Sequence, residues 1–394
     1  MESDWDVVVA GLGAMGAATT WELARRGLRV LAIDRFEPLH ALGSSHGSTR
    51  IIREAYFEHP LYVPLVHRAW QRWHLLEQET GLTLARRTGG LNIAQRESEF
   101  LDGLMRSIQE HHLAHECLDR DAIIARYPAL MPEPGTVGVF EPRASVLFAE
   151  ACVRAFQDAA RARAATLRFR EPLHDWKAEA GALLIETETQ VIRAKRLVLA
   201  LGPWTPAFVD FPLAIERQCV FWFEPLRRPF AFQPDAMPIT LWEHGPGQLA
   251  YAFPDLGNGV KASLHHQGSN ADLETIDRVA GPADEARIRE QVERIMPDAA
   301  GRVLSASVCL YTNTPDFHFL IDRHPEDTRV IVISACSGHG FKFAPAIAEL
   351  AADLVEGRKP EFDVSPFRAE RLAVGREAVG PRRSPPRRND GRTR

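Results

Sequence analysis

Val7-Val8-Val9-Ala10 is a short run of mostly β-branched apolar residues ended by Gly11, the pattern of a strand buried in a parallel sheet. Ala14 to Arg26 follows with helical character, small residues early and Gly27 as its stop. Arg29 to Ile33 is a second apolar run, closed by Asp34, so the chain opens as strand, helix, strand. Two later runs repeat the transition from strand to glycine. Arg196 to Leu201 ends at Gly202-Pro203-Trp204, and Arg329 to Ser334 leads to Gly338-His339-Gly340 and a helix from about Ala344 to Glu356. Tyr62 to Leu76 has helical spacing, with Leu65, Val66, Ala69, Trp70, Trp73 and Leu76 forming a core-packing stripe. The middle of the chain reads differently. Cys219 to Phe223 and Leu249 to Phe253 are aromatic-rich and punctuated by proline and glycine, as antiparallel strands are. The pattern predicts an α/β protein: a nucleotide domain from the separated segments 1–80, 145–210 and 316–375, and a second, α+β domain on an antiparallel sheet from 81–144 and 211–315. No internal repeat is present.

The length of 394 residues also favours two domains over one. A net charge of −5 conceals an asymmetry: Arg376 to Arg394 holds seven arginines against Glu377 and Asp390. That proline-rich end, 376–394, is expected to be a disordered, solvated tail. The remaining body is acidic, which argues against nucleic acid as a partner. The five cysteines are scattered with no Cys-x-x-Cys pair, so neither a metal site nor a disulfide framework is expected. No apolar run reaches about 18 residues, and the acidic start is not a signal peptide, so no membrane partner and a cytoplasmic location are expected.

Gly11, Gly13 and Gly16 form G-x-G-x-x-G between strand and helix, where the turn, the approach of a pyrophosphate and close helix packing each need a glycine. The helix N-terminus then faces the phosphates. Asp34, 23 residues after Gly11, can accept from ribose hydroxyls. In the loop Leu42 to Thr49 and beyond it, His46, Arg50 and Arg53 either clamp an anion or are exposed loop residues. Cys309 is a core thiol or a functional one. Lys261 is a solvated strand residue or a desolvated charge beside a redox centre. Gly338 to Phe343 either presents backbone N–H groups to an anion or simply connects two elements. Hydrolase, metalloprotease and P-loop motifs are absent from the sequence.

The chain resembles the monomeric sarcosine oxidase and N-methyltryptophan oxidase family of the glycine/D-amino-acid oxidase group. The resemblance covers about Asp6 to Arg368, through the Gly11 fingerprint, the Gly43–Arg53 loop, Tyr251-Ala252-Phe253-Pro254, Val260–His265, Cys309–Asp316 and Ser337–Phe343. It implies a Rossmann-like FAD-binding domain and a flavin-dependent oxidase acting on a secondary amino acid, with O2 as second substrate and H2O2 as product. Monomers are implied. By the resemblance, Cys309 matches a cysteine joined to the flavin, and Lys261 a lysine that promotes reaction with oxygen. Arg53 and Lys342 match the holders of the substrate carboxylate. Tyr251, His265 and Tyr311 match residues lining the substrate cavity. Ser44, His46, Arg50, Gly338, His339, Gly340 and Lys342 fall in segments beside the cofactor, with Arg50 close to the reacting ring. Ser45 departs from relatives that carry histidine there, and Leu241-Trp242 fall in a pocket-lining region whose spacing to Tyr251 differs. The substrate alternatives are sarcosine, N-methyltryptophan and pipecolate, and a dehydrogenase of the same fold is the alternative activity.

Overall fold

The computed structural model describes residues 4–372, and the basic segment 376–394 lies outside the described residues. Its first sheet has eight strands. Trp5–Ala10 runs parallel to Val30–Ile33 on one side and to Val191–Leu199 on the other. Thr166–Arg168 extends the sheet beyond Val30–Ile33. Val191–Leu199 shares its outer edge between two neighbours. Its first half pairs antiparallel with Ala182–Thr187, and Leu197 to Leu199 pair in parallel with Val330 to Val332. Leu173–Glu179 and Leu320–Arg323 close the two ends of that edge.

The apolar runs are continuous because both faces of this sheet are covered. Val7 and Val9 join one core, in which Ala14–Arg25 packs between Ala149–Arg161 and Ala344–Glu356. Val8 and Ala10 point into the opposite core with Leu31, Ile33, Trp176 and Leu183. The first helix stops at Arg25, one residue short of expectation, and Gly27 takes the left-handed turn at φ +80° that ends it. The second helix, Tyr62–Thr80, runs a turn beyond the expected Leu76. The Val191–Leu199 strand begins earlier and stops earlier than Arg196 to Leu201, because Gly202 opens a 3-10 turn.

The second sheet has nine strands, with Ala214–Phe223, Val260–His265, Gln248–Phe253, Ile239–Gly245, Gly90–Gln95 and Thr136–Glu141 as consecutive neighbours. Pairing is antiparallel except between Ile239–Gly245 and Gly90–Gln95, which are parallel. Val303–Asn313 pairs along Ala214–Phe223. The period-2 alternation separates the faces. Trp242, Ala252, Phe221 and Phe223 pack with Ile288, Val292 and Ile295 of the helix Pro282–Ile295. Leu241, Tyr251, Phe253, His265, Cys309 and Tyr311 line a cavity on the other side. Trp242 is thereby corrected from pocket region to core, whereas Leu241 is on the cavity wall.

Candidate active site

A cavity of about 2830 Å³ is lined both by the Gly11–Met15 turn and by Arg53, Tyr251, His265, Tyr311 and Lys342. At the glycine turn, Gly11 has φ +95° and a Cβ there would collide with the Ala200 carbonyl. The Asp34 carboxylate accepts from the Leu12 N–H at 2.7 Å and the Phe36 N–H at 2.9 Å. Each oxygen keeps a further lone pair for a sugar hydroxyl. Ser45 has a task that its sequence gave no hint of: its Oγ accepts from the Ala14 N–H at 3.0 Å, the first turn of the helix. The helix has no side-chain cap of its own at Gly13, so its N-terminus keeps N–H groups for an anion. Turn, acid and a helix end with N–H groups beyond the one taken by Ser45 together fit a dinucleotide.

Three of the expected residues converge around Gly47, which sits at φ +95°. A Cβ on Gly47 would lie 3.7 Å from Cys309 Sγ, 3.8 Å from an Arg50 guanidinium nitrogen and 4.0 Å from Lys261 Nζ. Any side chain would wedge into that junction. Lys261 comes from the central strand of the second sheet, cross-strand from Trp222 and Phe253, whose rings flank its ammonium at 5.3 and 4.8 Å. Its Nζ donates to Gly47 O (2.7 Å), Thr49 O (3.0 Å) and Thr49 Oγ1 (3.0 Å). Burial and the Arg50 charge pull this lysine down to about 7. Lys261 and His46 stand behind the cavity wall, with Thr49, Arg50 and Cys309 on it.

Arg50 is held by three carbonyls, Thr49 O at 2.8 Å and Ser44 O and His46 O at 2.7 Å, so it braces the loop it belongs to. Its guanidinium lies 5.5 Å over the Phe341 ring. His46 Nε2 is 3.0 Å from Val308 O and 3.6 Å from Cys309 Sγ. Burial pushes the Cys309 thiol up, but the His46 hydrogen bond and the charges of His46, Arg50 and Lys261 outweigh it, leaving about 7. The buried Ser44 Oγ and the Nδ1 of His339, both on residues of the cavity wall, lack partners among the described residues, as groups awaiting a polar ligand do. The residues present therefore fit a flavin nucleotide.

The second group of residues gathers on Tyr56. Arg53 lies 4.4 Å over its ring, and Lys342 Nζ donates to its hydroxyl at 2.7 Å and to His339 O at 2.8 Å. Burial and the Arg53 charge pull Lys342 down to about 7. Arg53 is paired with Glu58 through two bonds of 3.0 and 2.9 Å and also donates to Ala55 O. Burial pushes Glu58 up, and Arg53 brings it below the usual range. Glu141 fixes the turn after Arg53, accepting from the N–H groups of Glu54 (3.0 Å) and Ala55 (2.7 Å) and from Asn92 (2.9 Å). His265 Nδ1 is 3.4 Å from the Tyr311 hydroxyl, and burial together with neighbouring cations holds its ring neutral. Burial likewise drives His339 down to about 3. Tyr56, Glu58 and Glu141 escape sequence reasoning, since nothing local distinguishes them from ordinary loop and strand residues.

No helix among the described residues is long and apolar enough to cross a membrane. The family model described as FAD dependent oxidoreductase matches residues 6–354. Monomeric sarcosine oxidase from Streptomyces avermitilis is 36% identical over 381 residues, covering 95% of this chain and 99% of that protein. N-methyl-L-tryptophan oxidase from Salmonella typhimurium is 32% identical, covering 94% of this chain and 99% of its own. Among solved structures, NikD, an unusual amino acid oxidase, superposes with a TM-score of 0.81 at 22% identity, over 94% of this chain and 98% of that one.

Proposed function

This chain belongs to the FAD dependent oxidoreductase family, and on that premise we propose that it oxidises a secondary amino acid, sarcosine-like in class, to its imine, with O2 reduced to H2O2. The observation that carries the reading is the pair of cations, Arg53 and Lys342, sharing Tyr56 in the wall of the cavity that also holds Cys309. Two cations in a buried site ask for an anion, and an amino acid brings a carboxylate.

Gly11, Gly13, Gly16 and Asp34 would hold the nucleotide end of FAD, and Ser44, His46, Arg50, Cys309, Gly338, His339 and Gly340 the ring end. The chemistry that a bound FAD supplies is acceptance of two electrons from the substrate's C–N bond and their return to O2. The chain's residues do the rest. Lys342 uses two of its three donors on Tyr56 and His339, leaving one for a carboxylate oxygen. Arg53 must share with, or release, Glu58 to add its own contact. Tyr251, His265 and Tyr311 close the amine end, with His265 neutral and so not repelling a cationic substrate. Lys261, one layer behind the wall, acts through its field on the negative charge that develops as oxygen is reduced. The Cys309 thiol, lowered to about 7, would be the group that holds the cofactor through a thioether. We assign the FAD-binding role to segments 1–80, 145–210 and 316–375, the substrate role to 81–144 and 211–315, and a monomeric, cytoplasmic state to the whole.

A panel of sarcosine, N-methyltryptophan, pipecolate and their amides, read by peroxide, tests this. At least one acid should give peroxide and its amide little; equal rates for acid and amide would remove the carboxylate reading. Acid-precipitated protein should stay yellow, and Cys309→Ser should release all of its flavin. Free flavin in the supernatant of the unaltered protein would refute the linkage.

A further inference from the structure

A second cavity of about 330 Å³ is lined by Glu216, His266, Gly268, Asn313 and Phe317. The His266 ring meets those of His265 at 4.3 Å and Tyr311 at 5.2 Å between centroids, and both of these line the main cavity. His266 therefore stands between two spaces.

Its orientation is fixed by Glu216. Oε1 of that buried carboxylate accepts from the Gly268 N–H at 2.8 Å and from Gln218 Nε2 at 2.5 Å. Oε2 accepts from Asn313 Nδ2 at 2.7 Å and meets His266 Nδ1 at 3.2 Å. Burial pushes Glu216 up, but the hydrogen bonds from His266, Gly268 and Asn313 hold it below the usual range, so it is ionised. An ionised carboxylate only accepts. His266 Nδ1 must then be the donor, and the neutral ring keeps its lone pair on Nε2. That nitrogen lies at Gly338, which lines the main cavity: a Cβ on Gly338 would be 2.8 Å from His266 Nε2 and 2.9 Å from His265 Cε1. Because position 338 has no side chain, the His266 ring can approach the backbone there. The groups facing His266 are Glu216 from one strand, His265 at the end of the strand just before it, Tyr311 from a third strand and Phe317 from the loop beyond, with Asn313 bonded to the same Glu216 oxygen.

A secondary amino acid reaches the enzyme as an ammonium. Its nitrogen must lose one proton, keeping the N–H electron pair, before the adjacent carbon can give up hydride. We propose that His266, oriented by Glu216, is the outlet for that proton: Nε2 takes it from the main cavity, the Nδ1 proton of the resulting imidazolium passes through Glu216 to water in the smaller cavity, and a turn of the ring brings the remaining N–H back to the Glu216 side. This rests on the secondary-amine reading above. His265, held neutral by burial and by the charges of Arg53 and Lys342, does not trap the proton on its way.

Anaerobic stopped-flow reduction of the holoenzyme by its best panel substrate tests the outlet. His266→Ala should slow reduction about 100-fold at pH 7, converge on the unaltered enzyme above pH about 10, where the amine arrives unprotonated, and recover on addition of imidazole. Glu216→Gln should show the same pH shape with a smaller loss. Should His266→Ala not fold, His266→Gln carries the same test without the rescue. Nitrogen-15 NMR of the histidine-labelled protein should find neutral His266 protonated on Nδ1. No loss, a loss equal at every pH, absence of rescue by imidazole, or an Nε2–H tautomer each overturns the outlet. An unaltered enzyme that oxidises no secondary amine sinks the functional reading along with it; normal oxidation combined with an unaffected His266→Ala sinks the outlet alone.

Discussion

Lys261 and Lys342 are the same residue at nearly the same depth, 3% and 5% exposed, and both are brought down to about 7. Their surroundings separate them. Lys261 spends its three donors on neutral oxygens of Gly47 and Thr49, with no donor left for a ligand. Lys342 spends two, and its neighbour Arg53 is a second cation. One is fully used within the protein; the other keeps a donor beside a second cation, as the proposed anion site requires. Burial alone does not tell a buried lysine's purpose, and the count of its acceptors does.

The largest separation should come from oxygen. Lys261→Met removes the built-in charge and should slow reoxidation by about 10²–10³ while leaving carboxylate binding unchanged. Equal slowing of reduction and reoxidation would erase the distinction between the two lysines. Next comes the proposed anion site itself. Lys342→Ala and Arg53→Ala should each weaken carboxylate inhibitors by roughly 10- to 150-fold, as expected for a lost charge-assisted contact, with flavin retained; titration of flavin absorbance reads both. Glu58→Gln sharpens the same point in the opposite direction. By freeing Arg53 it should tighten carboxylate inhibitors by up to about 10-fold, and weakened binding would mean that Glu58 shapes the site rather than competes for it.

The smallest effect concerns the thiol beside Lys261. A thiolate is the reactive form and is present above the thiol's own pKa. In protein produced without flavin, Cys309 should therefore alkylate around pH 7, ahead of Cys219, which burial pushes up to about 12, and of Cys336, also raised by burial. His46→Ala removes the hydrogen bond that lowers Cys309, so alkylation at pH 7 should slow by a few-fold, about what the loss of one such contact gives. Peptide mapping by mass checks it, and an unchanged rate would free Cys309 of His46.

The nucleotide end was largely legible in the sequence because its signals are local: β-branched runs, spaced glycines and Asp34 all lie within one short segment. Ends of elements were missed by a few residues where tertiary contacts, not caps, decide them, as at Thr80 and Leu199. The second sheet was foreseen only as antiparallel strands. Its parallel pair, Ile239–Gly245 with Gly90–Gln95, joins segments about 150 residues apart and leaves no local mark. The same holds for the site. Glu141 and Glu216 act through partners elsewhere in the fold, Glu58 pairs with Arg53 five residues before it, and a carboxylate in a sequence looks alike whether it is solvated or buried.

The shared edge of the Val191–Leu199 strand sets a timetable for the ribosome. The Gly11 turn emerges early, yet the strand that completes its sheet, Val330–Ser334, is made more than 300 residues later. At about 5–20 residues per second, the cofactor's cradle waits on the order of 15–60 s for its last wall. FAD capture is thus a late event in the life of each new chain, and the Cys309 thiol, made 21 residues before that wall, waits only about 1–4 s more for the partner proposed for it.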